Sequence, residues 1–358
     1  MIITHLHYHL RPGGVTTVIH NAQRALAGTH DVRILAGFGY GEKPANLRRE
    51  ARQLLRQLPQ TGLLHTHNIG LGKHPALTYA VQLLAETGRV NIINQVHDFP
   101  EDNRPAQLHA LRYCTGRRDD QFWKTICYYD RPNVRWTTLT THDAAKLAAR
   151  GIPAGKISVL PNPVDDGIFA QAAPPKLPPG IRRPFILCPV KVMARKNNAE
   201  AVELIRHLPG YQLVISLDAS SPADCAYRDK LLRKIRRDRL PVIIGAGQSL
   251  PNPLPLFRAA RAILTTSTQE GFGYAFLEGW LAGKLVIGRD LPEVTQDFKA
   301  AGLKLDHLYR EPDPSAIRRM LARPPRALIA HNRRVVLREY SLAAYARRYE
   351  ELLRNFTA

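Results

Sequence analysis

The sequence predicts an α/β protein of two domains, each built on a parallel sheet. Three observations predict it: a length of 358 residues, a regular alternation of short apolar runs with helical patterns, and a proline-rich break near mid-chain. The length exceeds what one ordinary core organises and suits two. An apolar fraction of 44% makes both cores feasible.

Taken in order, Met1–Leu6, Val32–Ala36, Gly62–Thr66 and Val90–Val96 read as strands. Thr16–Ala27 and Pro75–Thr87 read as amphipathic helices between them. Strands alternating with helices in this way argue for a parallel, Rossmann-like sheet. Two more strands are expected near Trp136–Thr140 and Lys156–Leu160, with a helix at Asp143–Arg150. The stretch Arg104–Asn133 mixes helix formers with Trp123, Tyr128 and Tyr129, and reads as an insertion or a lid. Proline then dominates Ala172–Gly180, which continues neither helix nor central strand. After it the pattern restarts. Phe185–Pro189, Tyr211–Ser216, Val242–Gly245, Ala262–Thr265 and Leu285–Ile287 read as strands with helices between, and Leu342–Asn355 as a last helix. The expected organisation is a first domain over 1–170, a linker over 171–181 and a second domain over 182–340. A C-terminal helix within 341–358 is expected to pack back on the first domain.

Composition narrows the class. No run of about 18 apolar residues occurs, so no transmembrane helix is expected. The N-terminus lacks the basic region and small-residue cleavage site of a signal peptide and reads as the first strand. Cys114, Cys127, Cys188 and Cys225 form no CxxC pair, which fits reduced thiols in a cytoplasm. Lys and Arg number 51 against 30 Asp and Glu, a formal charge of +21. That excess points either to an anionic partner or to solvated basic faces. Arg-rich stretches lie at Arg117-Arg118, Arg233–Arg239 and Arg333-Arg334. Aromatic interleaving is poor there, which argues against a single-strand nucleic-acid platform.

The chemistry-bearing segment runs from Thr265 to Gly283. An apolar strand enters a polar loop, and Gly271 and Gly273 open a helix. Small residues let backbone approach a ligand, and free N–H groups at a helix start favour phosphate. Glu270 precedes the turn and Glu278 lies just over one helical turn in, so two carboxylates flank the place a diphosphate would occupy. A plain strand–loop–helix connection is the alternative for this segment alone.

Glu270-Gly-Phe-Gly, then Glu278, then Ala282-Gly-Lys-Leu-Val286 resembles the Glu-x7-Glu segment of retaining GT-B glycosyltransferases of family 4 (glycosyl transferases group 1). Leu285 replaces the usual proline, and Gly279-Trp280 the usual Ala-Met. The resemblance implies two Rossmann-like domains facing across a cleft, and a catalytic set of Glu270, Lys191, Lys196 and His97. Glu270 would hold hydroxyls of the donor sugar and Glu278 the nucleotide ribose. The backbone of Gly271, Phe272, Gly273, Tyr274 and Ala275 would meet the diphosphate. Leu160–Asp165, followed by Phe169, resembles the turn closing the family's first domain; it adds Asn162 to the donor set, with Pro163 where glycine is common. Lys191 and Lys196 resemble the basic pair that meets the departing phosphates, where charge builds. Arg11–Val15 resembles the glycine loop approaching phosphate and acceptor, with Gly13 and Gly14 in it and Thr16 where a glutamate is usual. His97-Asp98 resembles the acceptor-side pair, although a strand-end histidine held by local hydrogen bonds explains it equally. Ile215–Ser220 departs from the family's glycine-rich motif, and Gly245-Ala-Gly247 offers another small-residue loop for the base.

No GxGxxG fingerprint is present, which counts against a dehydrogenase. His5, His7 and His9 alternate, as do His65 and His67, so each set would share a strand face. A metal cluster is the lesser reading of them, because no acidic or cysteine ligand pattern joins them. The family works without a metal held by a DxD motif, so neither metal nor cofactor is expected. The function expected is retaining transfer of a hexose from a nucleoside diphosphate sugar to an acceptor hydroxyl of an anionic glycan, lipid or small phosphorylated or carboxylated molecule. A cytoplasmic location is expected, with peripheral contact at the inner membrane face as a further expectation. The rivals are a nucleotide-sugar epimerase or hydrolase of the same fold, and a non-catalytic basic protein binding nucleic acid or membrane.

Overall fold

The computed structural model describes residues 1–11, 13–102, 104–115, 120–170, 177–250 and 252–356. Contacts divide the chain into two compact units, Met1–Pro163 with Leu342–Ala358, and Val164–Ser341.

Unit 1 holds strands β1 (Ile2–Leu6), β2 (Asp31–Leu35), β3 (Leu63–His67), β4 (Asn91–Val96), β5 (Val134–Thr138) and β6 (Ile157–Val159). They form one parallel sheet in the order β2-β1-β3-β4-β5-β6. Its helices are α1 (Gly14–Leu26), α2 (Leu47–Leu55), α3 (Pro75–Glu86), α4 (Pro105–Thr115), α5 (Gln121–Cys127) and α6 (Thr141–Ala148). Unit 2 opens with α7 (Asp166–Ala170). Its strands β7 (Phe185–Lys191), β8 (Gln212–Leu217), β9 (Val242–Ile244), β10 (Ala262–Thr265) and β11 (Leu285–Gly288) are also parallel, in the order β11-β10-β7-β8-β9. Helices α8 (Asn198–Arg206), α9 (Pro222–Arg237), α10 (Leu254–Ala259), α11 (Tyr274–Leu281), α12 (Pro292–Ala300), α13 (Pro314–Ala322) and α14 (Arg326–Tyr340) complete that unit. The last helix, α15 (Leu342–Arg354), returns to unit 1.

The period of two in a strand sorts the unit 1 core. Leu6, Leu64 and Ile92 pack toward α2 and α3 through Ala51, Leu77, Ala80 and Leu84. Ile3, Leu63 and Ile93 pack the opposite way, on Ala22 and Leu26 of α1 and on Tyr345, Tyr349 and Leu352 of α15. Each such side chain contributes roughly 1.5–3 kcal/mol when fully buried.

One expected boundary differs. Residues 164–170, expected in the first domain, belong to unit 2. The reason is local: Val164 N–H donates to Tyr340 O (2.8 Å), the Phe169 ring packs on Phe257, and Arg258 donates to the Phe169 carbonyl. Of the expected linker 171–181, residues 171–176 lie outside the described residues. The ambiguous stretch 104–133 forms α4 and α5, joined through 116–119, which lie outside the described residues. Leu111, Trp123, Ile126 and Cys127 of these helices bury together, with Tyr79 of α3 against them. Among the described residues, no helix is long and apolar enough to cross a membrane. The four cysteines are free thiols.

Candidate functional site

In a doubly wound sheet, ligands gather beyond the carboxyl ends of the strands where the strand order reverses. In unit 2 that point lies between β7 and β10. Glu270 follows β10, and Lys196 follows β7 in a short 3-10 turn, Ala194–Lys196. The Lys196 ammonium stands 2.5 Å from both Glu270 oxygens. Ser267 Oγ donates to Glu270 Oε1 at 2.6 Å, and the Arg195 guanidinium lies 3.7 Å from Oε2. Thr266 Oγ1 bonds the carbonyls of Lys196 and Asn197, and Thr268 N–H the carbonyl of Arg195. The two loops are thus laced together. Burial pushes the Lys196 ammonium below the lysine range, and the Glu270 carboxylate opposes that.

Gly273 caps α11 with φ 83, a left-handed backbone conformation that favours glycine. No side chain caps this helix start and no acidic residue occupies its first turn, which favours an anion there. Phe272 is buried and packs edge-on to Phe298 and Tyr274, anchoring the turn. Glu278 is partly buried, and among the described residues its carboxylate has no hydrogen-bond or ion-pair partner. Burial raises its pKa to about 7. Gly279 has a packing reason: an added Cβ would stand 2.4 Å from Val286 Cγ2. The fully buried Trp280 beside it fills the core.

Lys191 does not lie in the loop after β7. It is the last residue of the strand, and its ammonium meets Ser220 Oγ at 2.9 Å. Ser220 belongs to the segment that departs from the glycine-rich motif. Close approach occurs instead at the other loop, where Gly245 N–H and Gly247 N–H donate to Ile215 O and Ser216 O at 2.9 and 2.7 Å.

In unit 1 the strand order reverses between β1 and β3. His97, after β4, is buried, and its backbone N–H donates to Asn68 Oδ1 at 2.7 Å. Asp98 pairs with Arg104 and accepts from Asn68 Nδ2. His97 Nε2 lies 3.1 Å from His67 Nδ1, and His67 Nε2 lies 2.9 Å from His5 Nδ1. His65 Nδ1 meets the Tyr349 hydroxyl of α15 at 3.0 Å. Burial holds His5 and His97 at about 3 and drives His65 and His67 well below the usual histidine value. The rings are therefore neutral at pH 7, each able to donate once and accept once.

The ligand nitrogens of His5, His65 and His67 lie within 4.8 Å of one another. Both nitrogens of His67 are engaged, leaving the Nε2 atoms of His5 and His65 without partners among the described residues. Two free nitrogens and no carboxylate do not make the closed tetrahedral set of a structural zinc site. The shared strand face expected for His5, His7 and His9 is not observed. β1 ends at Leu6; His7 turns to the carbonyl of His67 and His9 to the Tyr40 hydroxyl.

Gly13 and Gly14 open α1, again without a side-chain cap or an acidic first-turn residue. Thr16 Oγ1 ties that loop back to Arg11 O at 2.7 Å. Asn162 closes unit 1, buried, with Oδ1 unpartnered among the described residues. Glu270 and Lys196 are therefore brought together, Lys191 is held on Ser220, and the Glu278 carboxylate has no hydrogen-bond or ion-pair partner among the described residues. The sequence reading missed Arg195 and Ser267, and named His7 only as one of the alternating histidines. The first two sit next to Lys196 and three before Glu270, a proximity that could have pointed to them.

Comparison with known proteins bears on the fold. No family model matches the chain. Mannosylglucosyl-3-phosphoglycerate synthase of Petrotoga mobilis is 24% identical over 339 residues, covering 82% of this chain. The chain spans 65% of that relative's length. Among solved structures, HepE of Anabaena with UDP and glucose superposes with a TM-score of 0.73 at 12% identity, covering 98% of this chain and 99% of its own. Sucrose-phosphate synthase of Thermosynechococcus elongatus gives 0.70 at 17%, covering 99% of each chain. The chain has the fold of the GT-B glycosyltransferases, as the Glu270–Glu278 resemblance implied.

Proposed function

We propose that this protein is a retaining glycosyltransferase that moves a hexose from a nucleoside diphosphate sugar to an acceptor hydroxyl. The observation that carries the reading is the unit 2 site, where Lys196 and Glu270 meet beside an uncapped helix start and an unpartnered Glu278. Each group has a place in the chemistry. The N–H groups at the start of α11 and the cations Lys191 and Lys196 meet the diphosphate, and charge that develops on it as the sugar leaves is stabilised there. Glu270 accepts from sugar hydroxyls and Glu278 from the ribose. Of the unit 1 residues, His97, Gly13 and Gly14 are assigned to the acceptor, and Asn162 to the donor set. The leaving phosphate takes the acceptor proton, so no enzyme base is required. No metal or cofactor is assigned.

The neighbours support the donor class: HepE is solved with UDP and with UDP-glucose. The Petrotoga relative is named for a phosphoglycerate product, which supports an acceptor with an anionic group. The +21 charge favours the same acceptor class and a peripheral, cytoplasmic position at an anionic membrane face.

Incubation with UDP-glucose, with and without candidate acceptors, tests the reading. The expected product is an α-linked glycoside formed only with acceptor. Free sugar or an epimer released at the same rate without acceptor would show a hydrolase or epimerase instead. Steeply salt-dependent nucleic-acid binding with no nucleotide-sugar binding would show the non-catalytic alternative.

A further inference from the structure

Unit 1 contains a cavity of about 270 Å³ beyond the ends of β1 and β3, where its strand order reverses. His7, Arg11, Gly13, Gly14, Lys73 and Asp98 are among its walls. Two independent features of those walls point to the same kind of ligand.

The first is the start of α1. Its 13 residues begin without a side-chain cap and without an acidic residue in the first turn. A Cβ added at Gly14 would meet nothing within 4 Å, so this face of the helix start is open. Where the resembled family has a glutamate, Thr16 bonds the loop carbonyl of Arg11 and adds no negative charge. Arg11 is exposed and, among the described residues, has no carboxylate partner. The Lys73 ammonium lies over the Tyr40 ring, 4.6 Å from its centre, with the Glu42 carboxylate 3.9 Å away as a loose partner that an incoming anion would compete with. The one carboxylate in these walls, Asp98, is countered by Arg104 at 2.5 Å. Helix start, guanidinium and ammonium together favour an anion.

The second is His7, which is 6% exposed. Its Nδ1 lies 2.9 Å from the His67 carbonyl. A carbonyl only accepts, so Nδ1 carries the proton and Nε2 carries a lone pair. Among the described residues Nε2 has no partner. Burial holds the ring at about 4, so it stays neutral and remains an acceptor at neutral pH. An acceptor in the wall of a cavity, without a protein partner among the described residues, takes its donor from whatever fills the cavity, and a hydroxyl supplies one.

We infer that this cavity takes an acceptor that carries a phosphate or carboxylate next to its reacting hydroxyl. Arg11, Lys73 and the α1 helix start hold the anion, and His7 Nε2 accepts the hydroxyl proton in a hydrogen bond. His7 is too weak a base to remove that proton; it places the hydroxyl on binding, and during transfer the O–H turns to the leaving phosphate, which takes the proton. The inference rests on the transferase reading and names its acceptor class.

Calorimetry on the full chain tests it with glycerol 3-phosphate, inorganic phosphate and glycerol, and with UDP in parallel. Glycerol 3-phosphate is expected to bind more tightly than inorganic phosphate, and glycerol to give no heat. Arg11→Met should weaken both phosphate probes about tenfold. His7→Phe should weaken glycerol 3-phosphate about tenfold and leave inorganic phosphate unchanged; the retained phosphate binding then shows that the variant is folded. Arg11 is exposed, so its variant tests the cavity even where His7→Phe fails to fold. Binding of UDP without either phosphate probe, or phosphate affinities unmoved by both variants, overturns the inference and leaves the transferase reading standing. A chain that binds neither UDP nor the phosphates removes both.

Discussion

Removing the Lys196 charge while keeping its stem, as in Lys196→Met, should cost the protein both stability and activity. The two side chains of this pair are only 13% and 9% exposed, and the ammonium meets both carboxylate oxygens at 2.5 Å. Taking one partner from a buried pair leaves the other charge uncompensated, typically at about 3–5 kcal/mol. Glu270 would still have Ser267 at 2.6 Å and Arg195 at 3.7 Å. That support places the expected cost near the lower end, about 3 kcal/mol. Neutralising both partners, as in Lys196→Met with Glu270→Gln, strands no charge and should cost about 1 kcal/mol. Urea unfolding of wild type, both single variants and the double variant closes the cycle. With each single change at about 3 kcal/mol and the double at about 1, a coupling energy of about 5 kcal/mol is expected, with the double variant stable yet inactive. Additive single effects, or wild-type turnover in the double variant, would refute the reasoning.

Two further outcomes follow from unit 2. The Glu278 carboxyl is raised to about 7 in the folded protein against about 4.3 when unfolded. Its contribution to stability is therefore fully present below the unfolded value and is lost as pH rises through 7. A ribose hydroxyl donates to the ionised form, so UDP affinity should climb through the same range, and Glu278→Gln should flatten both curves; calorimetry with a level wild-type profile would contradict this. Gly279→Ala should destabilise by about 1–3 kcal/mol, because its Cβ meets Val286 at 2.4 Å and Ile263 at 3.0 Å. A rise in melting temperature, as helix propensity alone would give, would show that the packing argument is wrong.

The elements were legible where a short range decides them. All eleven described strands overlap the runs read from the sequence; the central ones do so because a parallel strand buried on both faces needs an apolar run, while the edge strands β2, β6 and β9 are only partly buried. Strand order was not legible, since pairing depends on contacts far apart in the chain. Yet order is what puts His7 and the α1 start at one reversal and Lys196 with Glu270 at the other. Helix α2 escaped notice because Leu47–Leu55 carries three arginines among few apolar residues. The Glu270–Glu278 spacing was readable as a motif, whereas the only local signal for Arg195 was its place next to Lys196, since 74 residues separate it from Glu270. The histidines misled in a particular way. Alternation assumes that a strand continues, whereas β1 ends at Leu6, so His5 enters a buried imidazole chain and His7 a cavity wall.

The central claim is that unit 2 holds a nucleoside diphosphate sugar between Glu270 and Glu278. The most direct test is a thermal-shift panel of UDP-, GDP- and ADP-glucose on wild type and Glu278→Gln. A donor at about 100 times its dissociation constant stabilises the folded state by about 2.7 kcal/mol. For a unit of this size that raises the melting temperature by several degrees, roughly 2–4 °C per kcal/mol. The account predicts such a rise with one base class in wild type and a reduced rise in the variant; no shift with any of the three, or equal shifts in both proteins, would contradict it.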